Sequence, residues 1–251
     1  MALLSKKVAV ITGGNSGIGY ATAADFVAQG ARVIITGRNR EAIENAAREL
    51  GREVEGVTAD QGRIKDAEEL AWFINDRYGK IDILFVNAGI PGNLGAFSAV
   101  TEEDFDEVMN VNTKGAFFLI QKLLPHMRDG GTIILLSSIS ADSGMPGAVV
   151  YNASKAALNA LGRTLSRELA SRRIRVNIVN PGPVETPFLS KANVPAEVTA
   201  GMSMDKVPMG RAGSPAEIAK LVTFLASDNA QFITGAAYNI DGGLSVHPLL
   251  G

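Results

Sequence analysis

The chain has 251 residues, a formal net charge of −2 at pH 7, and 46% hydrophobic and 20% charged residues. This balance is typical of a globular protein and lacks the basic excess of a nucleic-acid-binding protein. There is no cysteine, which excludes disulfides and thiolate metal sites. No apolar stretch is long enough to cross a bilayer, and the first residues lack the pattern of a signal peptide. We expect a cytoplasmic protein with neither a membrane nor a nucleic-acid partner.

Strand and helix patterns alternate along the chain. Apolar, β-branched runs predict strands at residues 8–11, 32–36, 54–58, 81–86, 132–136, 175–179 and 237–240. Helical patterns lie at residues 17–29, 40–50 and 64–78, and Thr101 and Ser214 begin the capping motifs of further helices. Strands that are apolar almost throughout are buried on both faces of a parallel sheet. The sequence therefore predicts a single α/β domain over residues 1–251, with a doubly wound parallel seven-stranded sheet and helices on both faces.

The segment 187–211 interrupts this alternation. It combines helix-breaking residues with apolar side chains, namely Phe188, Leu189, Met202, Met204, Val207 and Met209. Long irregular segments after the carboxyl end of a strand usually have a function. Because methionines form adaptable apolar surfaces, we expect residues 187–211 to be a substrate-binding flap within the domain.

A glycine-rich loop from Thr12 to Gly19 joins the first strand to the first helix. In such a loop, glycines allow a tight turn, a close approach of the backbone to a pyrophosphate, and close packing of the helix on the strand. The helix N-terminus adds free N–H groups and a partial positive charge. The position of the loop between a strand and a helix predicts a dinucleotide site rather than an ordinary turn.

The residues after the second strand indicate which dinucleotide binds. An Asp or Glu at this place accepts a hydrogen bond from the ribose 2′-hydroxyl of NAD, whereas an Arg binds the 2′-phosphate of NADP. This chain has Arg38, followed by Arg40, and no carboxylate at the expected position. We therefore predict NADP (NADPH) as the cofactor, with NAD less favoured.

Tyr151 and Lys155 are four residues apart in a segment that we interpret as a helix, so they lie one turn apart on the same face. The ammonium group favours phenolate, which makes a tyrosine usable as a general acid or base. An attraction of ~4 kcal/mol, at ~4 Å and an effective dielectric constant of ~20, would lower the pKa of Tyr151 from ~10 towards ~7. A solvated helix face has the same spacing, but the dinucleotide loop upstream favours a catalytic pair.

These patterns resemble the short-chain dehydrogenase/reductase family of the compact type over residues 5–244. The family's motifs occur in order as Thr12-Gly13-x-x-x-Gly17-x-Gly19, Asn87-Ala88-Gly89, Asn112, Ser138, Tyr151-x-x-x-Lys155, Pro181-Gly182 and Asp241-Gly242-Gly243. The resemblance implies a single-domain Rossmann fold. It also implies an NADP(H)-dependent oxidoreductase that interconverts a ketone and a secondary alcohol, with a small-molecule carbonyl or alcohol as substrate.

The resemblance further implies the residues of the site. Tyr151 would exchange a proton with the substrate oxygen, Ser138 would bind that oxygen, and Lys155 would lower the Tyr151 pKa and bind the nicotinamide ribose. Asn112 would hold a water beside Lys155. The implied cofactor contacts are Gly13, Asn15, Ser16, Gly17, Ile18, Gly19, Arg38, Asp60, Gln61, Asn87, Ala88, Gly89, Tyr151, Lys155, Pro181, Gly182, Val184 and Thr186.

Two residues depart from the commonest family pattern. Asn15 stands where many NADP-binding relatives carry a basic residue, so recognition of the 2′-phosphate would depend on Arg38. Gln61 follows Asp60 at a place where an aliphatic residue is more usual. The resemblance also implies a homotetramer, and we expect Phe117, Leu158 and Leu165 to supply apolar outer positions for its interface.

Other functions remain open. A 3-oxoacyl-[acyl-carrier-protein] reductase needs a basic patch for its acidic carrier, and Arg128, Arg172 and Arg173 are candidates for it. A sugar or polyol dehydrogenase would have a more polar flap. An NADP-sensing binding module would have no need of a proton donor, which the chain retains. No His, Asp and Glu cluster has the spacing of metal ligands, so we expect no metal.

Overall fold

The computed structural model describes residues 2–188 and 204–246, and its centre is one sheet of seven strands. The strands are β1 Val8–Thr12, β2 Arg32–Gly37, β3 Val54–Thr58, β4 Ile81–Val86, β5 Met127–Leu136, β6 Arg175–Pro181 and β7 Ala237–Ile240. They are all parallel and follow the order β3-β2-β1-β4-β5-β6-β7 across the sheet. The predicted fold class, a doubly wound Rossmann fold, is confirmed.

Helices cover both faces of the sheet. They are α1 Gly17–Ala28, α2 Arg40–Leu50, α3 Ile64–Arg77, α4 Glu102–Met109, α5 Ala116–Leu123, α6 Val149–Glu168 and α7 Pro215–Ala226. Successive side chains of β4 show the two layers, because Leu84 packs in the core with α3, α5 and α6, while Phe85 packs in the core with α1, α2 and α7. This double burial explains why the strands are apolar almost throughout.

The strand order places a crevice at the carboxyl ends of the central strands. β1 lies between β2 and β4, so the connections that leave β1 and β4 run to opposite faces of the sheet. Thr12 at the end of β1 pairs with Thr36 of β2, and Ile11 pairs with Phe85 of β4. The loops that follow these strands therefore begin side by side. Ligands of open α/β sheets bind at such a switch point.

The predicted helix starts at Thr101 and Ser214 are confirmed. The Ser214 hydroxyl accepts from the backbone N–H of Glu217 at 3.3 Å, and the Glu217 carboxylate accepts from the N–H of Ser214 at 2.7 Å. The Thr101 hydroxyl accepts from the N–H of Asp104 at 3.2 Å. At α4, a bond from the Thr101 backbone N–H to the Asp104 carboxylate is absent from the described contacts. The Asp104 carboxylate accepts a hydrogen bond from the Asn93 side chain instead.

Two predictions about local structure are wrong, namely the start of β5 and the outer position of Leu158. β5 begins at Met127 rather than residue 132, because Met127 pairs with Ile81 before a register shift. Asn112 lies in a π-helical turn, Asn110–Gly115, between α4 and α5, a local geometry that no sequence pattern indicated. Leu158 is buried in the core and is therefore not an outer position of α6, whereas Leu165 is only partly buried. Helical spacing alone does not say which face of a helix meets the sheet.

Only the two ends of the predicted flap are described. Residues 189–203, which include Leu189 and Met202, lie outside the described part. At the second end, Val207 is buried, and the backbone N–H of Met209 donates to the carbonyl of Gly242 at 3.1 Å. This end of the segment is therefore attached to the Asp241-Gly242-Gly243 turn.

Gly19 tests how closely α1 packs on the loop after β1. A Cβ at this position would overlap the carbonyl oxygen of Gly13 and lie 2.6 Å from Nδ2 of Asn87. We expect Gly19→Ala to lower the free energy of unfolding by ~1–3 kcal/mol through overpacking, although alanine has the better helix propensity. Urea denaturation measures the change. Gly95→Ala, where a Cβ would meet no atom of the described residues within 4 Å, is the control and should be near neutral. Equal stability of both variants would contradict the close packing.

Candidate active site

A cavity of about 1610 Å³ opens at the carboxyl ends of the central strands. It brings together nearly all of the predicted site residues. Those lining it are Gly13, Asn15, Ser16, Gly17, Ile18, Arg38, Asp60, Gln61, Asn87, Ala88, Gly89, Ser138, Tyr151, Lys155, Pro181, Gly182, Val184 and Thr186. Gly19 and Asn112 lie behind the cavity wall, and Asn112 is only 1% exposed.

The glycine-rich loop forms one end of the cavity. Gly13 and Gly17 have φ values of +64° and +55°, in the left-handed region that favours glycine. The Asn87 side chain fixes the loop by donating from Nδ2 to the carbonyl oxygens of Thr12, at 2.7 Å, and Gly13, at 3.1 Å. Ser16 precedes α1 but its side chain makes no capping hydrogen bond. The first N–H groups of α1 thus have no intrahelical acceptor and face the cavity end.

Arg38 and Arg40 have different environments. Arg38 is exposed, lines the cavity, and has no hydrogen-bond or ion-pair partner within residues 2–188 and 204–246. Arg40 is directed away, with its Nε 2.7 Å from the Glu44 carboxylate on the surface of α2. Arg38 is therefore available to a ligand, whereas Arg40 is engaged by a carboxylate outside the cavity.

Asp60 and Gln61 form the wall between the ends of β3 and β4. One Asp60 oxygen accepts from the backbone N–H of Gly62 at 2.9 Å, which closes a local turn. The Gln61 side chain is committed to protein groups: its Oε1 accepts from the Thr12 hydroxyl at 2.9 Å, and its Nε2 donates to the carbonyls of Ala88 and Val111 at 3.0 Å each. In the sequence, only the unusual residue type after Asp60 pointed to this hydrogen-bonding role of Gln61.

Tyr151, Lys155 and Ser138 meet at the other end of the cavity. Tyr151 and Lys155 project from the first turns of α6, as their spacing predicted, and the Lys155 Nζ lies 5.6 Å from the centroid of the Tyr151 ring. The Ser138 side chain lies beside the Tyr151 hydroxyl. Lys155 is buried, with its Nζ donating to the carbonyl of Leu136 at 2.8 Å. Phe188, from the first end of the flap segment, packs against the Tyr151 ring at 5.8 Å.

The predicted lowering of the Tyr151 pKa is wrong for this structure. Burial raises the pKa of Tyr151 to about 12, and the interaction with the Ser138 side chain acts in the opposite direction. Burial also lowers the pKa of Lys155 to about 8. Removal of both groups from water disfavours both charged forms, and this effect is larger than the attraction between phenolate and ammonium. Tyr151 is therefore a neutral phenol near pH 7.

The Asn112 side chain does not face the cavity but links two segments of the protein through hydrogen bonds. Its Oδ1 accepts from the N–H of Ile90 at 2.8 Å, and its Nδ2 donates to the carbonyl of Ile90 at 2.9 Å and to the Ser154 hydroxyl at 3.1 Å. These contacts join the segment after β4 to α6, immediately beside Lys155. The roles of Ile90 and Ser154 were not predicted, because no local pattern shows which backbone groups a buried amide will meet.

The cavity residues fit a nicotinamide dinucleotide. The glycine loop and the uncapped start of α1 would hold the pyrophosphate, Arg38 would face the adenine ribose, and Lys155 would face the nicotinamide ribose. Over the described ranges, no cluster of three His, Cys, Asp or Glu side chains is arranged to bind a metal. No described helix combines the length and apolar character needed to span a membrane.

Lys155 should make stability depend on pH. Its folded-state pKa of about 8 lies below the ordinary 10.5, so the unfolded chain binds more protons between these values and stability rises with pH. We expect the free energy of unfolding of the wild type, relative to Lys155→Met, to increase by up to ~3 kcal/mol between about pH 7 and pH 10. Chemical denaturation across this range measures it. Lys65→Met, at a surface lysine paired with Glu69, is the control. A difference that does not change with pH would contradict the burial effect.

Known proteins resemble this chain over nearly its whole length. Residues 13–245 match the sequence model of a family described as enoyl-(acyl carrier protein) reductase. A 3-oxoacyl-[acyl-carrier-protein] reductase of Thermotoga maritima is 39% identical over 97% of this chain and 99% of its own, and the human dehydrogenase/reductase SDR family member 4 is 36% identical over 96% and 88%. The crystal structure of a Brucella melitensis 3-ketoacyl-(acyl-carrier-protein) reductase complexed with NADH has a TM-score of 0.90 at 34% identity, covering 97% of this chain and 100% of its own. The chain belongs to the short-chain dehydrogenase/reductase family and is an NAD(P)-dependent oxidoreductase.

Proposed function

We propose that this enzyme interconverts a ketone and a secondary alcohol with NADP(H), and that Tyr151 is its general acid and base. The convergence of Tyr151, Ser138 and Lys155 at one end of a cavity whose other end is a glycine loop carries this proposal. A phenol, a hydroxyl and an ammonium at the same point suit a carbonyl oxygen that gains a proton.

The surroundings of Tyr151 favour donation of a proton. Because its pKa is raised to about 12, the phenol is protonated at neutral pH and presents its O–H to the cavity. Ser138 binds the same substrate oxygen and fixes its position, which aligns the oxygen with the phenol. Lys155, with a pKa of about 8, remains mostly charged and stabilises negative charge on Tyr151 after transfer. The bound nicotinamide supplies the hydride.

Arg38 supports NADP(H) as the preferred cofactor. A guanidinium that has no partner among the described residues can bind the 2′-phosphate through charge-assisted hydrogen bonds. The sequence also lacks, at the end of β2, the carboxylate that would accept from the ribose hydroxyl of NAD. NAD is therefore the less favoured cofactor.

The cavity surface supports a neutral, largely apolar carbonyl substrate. Its wall includes the apolar side chains of Ile139, Met145, Phe188 and Leu244, of which Phe188 packs against the Tyr151 ring. A 3-oxoacyl thioester on a carrier protein is the second candidate, because the relative from Thermotoga maritima carries that name at 39% identity. The basic patch that this candidate needs has less support, since the Arg172 guanidinium is bound to Asp129 and to the carbonyls of Leu124 and Met127.

Two further features complete the proposal. We place the enzyme in the cytoplasm, because its sequence has no cysteine and no apolar membrane-spanning stretch. We also propose a homotetramer, for which the exposed Phe105 of α4 and Phe117 of α5 offer an apolar face.

Replacing Tyr151 tests the assignment of the proton donor. Tyr151→Phe should reduce turnover of a ketone ~10²–10⁴-fold, since general acid catalysis is lost, while NADPH still binds. NADPH oxidation and the quenching of its fluorescence measure the two properties. Tyr20→Phe removes a hydroxyl that meets Glu49 outside the cavity and should retain activity. A fully active Tyr151→Phe would rule out the mechanism.

The same assay should include ketones, 3-oxoacyl thioesters and sugars. Preference for a simple ketone supports the leading proposal, and strong preference for the thioester selects the second candidate. Tight NADPH binding without turnover of any carbonyl compound would favour a cofactor-sensing module instead.

Arg38→Gln tests the choice of cofactor. Loss of a charge-assisted hydrogen bond should raise the KM for NADPH ~10–100-fold and leave the KM for NADH nearly unchanged. Arg40→Gln, which breaks only the surface pair with Glu44, should change neither value. A wild type that prefers NADH, or an equal loss for both cofactors in Arg38→Gln, would refute the role of Arg38.

A further inference from the structure

Gln61 occupies a junction between four segments of the cavity wall. The residue is 9% exposed, and its carboxamide makes hydrogen bonds of 2.9–3.0 Å to Thr12 at the end of β1, Ala88 after β4, and Val111 of the π-helical turn. Both Nε2 protons and one Oε1 lone pair are used. The carboxamide thus joins the loop after β3 to the three other segments.

The π-helical turn depends on a partner from outside the helix. A π turn replaces i→i+4 hydrogen bonds by wider ones, and such turns cluster at functional sites. Here the Val111 carbonyl accepts from Gln61, and Asn110 donates from its Nδ2 to the carbonyl of Gly62 at 3.0 Å. Gly115 closes the turn against the same loop, because a Cβ there would overlap the carbonyl oxygen of Gln61. The loop after β3 therefore holds the turn at both ends.

The π turn is also linked to α6, the helix that carries Tyr151 and Lys155. Asn112, next to Val111, donates from its Nδ2 to the Ser154 hydroxyl at 3.1 Å. That hydroxyl donates to the carbonyl of Tyr151 at 2.7 Å. Three hydrogen bonds and the peptide link from Val111 to Asn112 thus connect Gln61, through the π turn, to the backbone carbonyl of Tyr151. The side chains that make these bonds are all buried.

We propose that Gln61 is a positioning residue for the reaction: its carboxamide holds the π turn, and the turn orients Asn112 and the part of α6 that carries Tyr151 and Lys155. An aliphatic side chain of similar size would remove the Gln61 donor from the Val111 carbonyl. The turn would then relax towards regular α-helix and rotate Asn112 away from Ser154. This inference rests on the proposed function of Tyr151.

Gln61→Met tests the hydrogen bonds at nearly constant volume. We expect kcat to fall ~10–100-fold, because small displacements of catalytic groups have effects of this size. The Kd for NADPH should change much less, since Asn87 holds the glycine loop independently. Hydrogen exchange of amides 111–115, followed by mass spectrometry, should become faster, because local opening is easier. Gln121→Met, at an exposed position of α5 outside the cavity, is the matched control.

The two measurements separate a positioning role from a merely structural one. Faster exchange together with a lower kcat supports the inference. Faster exchange with an unchanged kcat shows that Gln61 only stabilises the fold, and unchanged exchange overturns the inference altogether. If the wild type reduces no carbonyl compound, the proposed function fails, and the exchange of amides 111–115 and 151–156 alone decides whether Gln61 orients α6.

Gln61→Glu gives an independent test, and serves if the methionine variant does not fold. An ionised carboxylate accepts from Thr12 but offers no proton to the carbonyls of Ala88 and Val111, whereas a protonated carboxyl offers one. Burial raises the pKa of such a group. The ratio of the variant's kcat to that of the wild type should therefore rise as the pH falls from about 8 to about 6. A ratio that stays constant, with both proteins folded, would overturn the proposal.

Discussion

The hydroxyl of Thr12 joins the segments on which the site depends. It accepts from the backbone N–H groups of Asn87 and Ala88, at 3.0 and 2.9 Å, and donates to Gln61 at 2.9 Å. This group sits at the end of β1, where the parallel strands end and their last polar groups would otherwise be buried without partners. Because the hydroxyl is buried, water cannot take the place of these protein partners. The loops after β1, β3 and β4 are therefore fixed relative to one another, and the cavity has a rigid floor.

Burial governs the chemistry of the catalytic pair. On the surface, an ammonium one helical turn from a phenol would favour phenolate, but inside the wall the loss of solvation acts on both groups. Tyr151 keeps its proton and Lys155 holds its own less firmly, with pKa values of about 12 and about 8. Tyr151 can therefore donate its proton to a substrate oxygen on which negative charge develops. The site is also sensitive to any added charge, since a low dielectric constant strengthens every interaction within the cavity.

The sequence predicted those parts of the structure that local patterns determine. Continuous apolar strands gave the parallel sheet, and the glycine spacing gave the loop after β1, because both follow from nearest-neighbour geometry. The π turn at Asn112 and the inward position of Leu158 were not predicted, since each depends on contacts with residues far away in the chain. The sign of the Tyr151 pKa shift was wrong for the same reason. Spacing gives the distance between two charges, but their solvation depends on the rest of the fold.

The arginines show how the structure distinguishes residues that look alike in the sequence. Arg38, Arg40 and Arg172 each stand at the edge of a helix or strand, and each was a candidate to bind an anion. The Arg172 donors meet three protein oxygens, and Arg40 meets Glu44, so an incoming phosphate would have to displace existing partners. Arg38 lines the cavity without a partner in the described part of the chain, and its binding to a phosphate breaks no protein contact. Availability, rather than charge alone, makes it the better anion site.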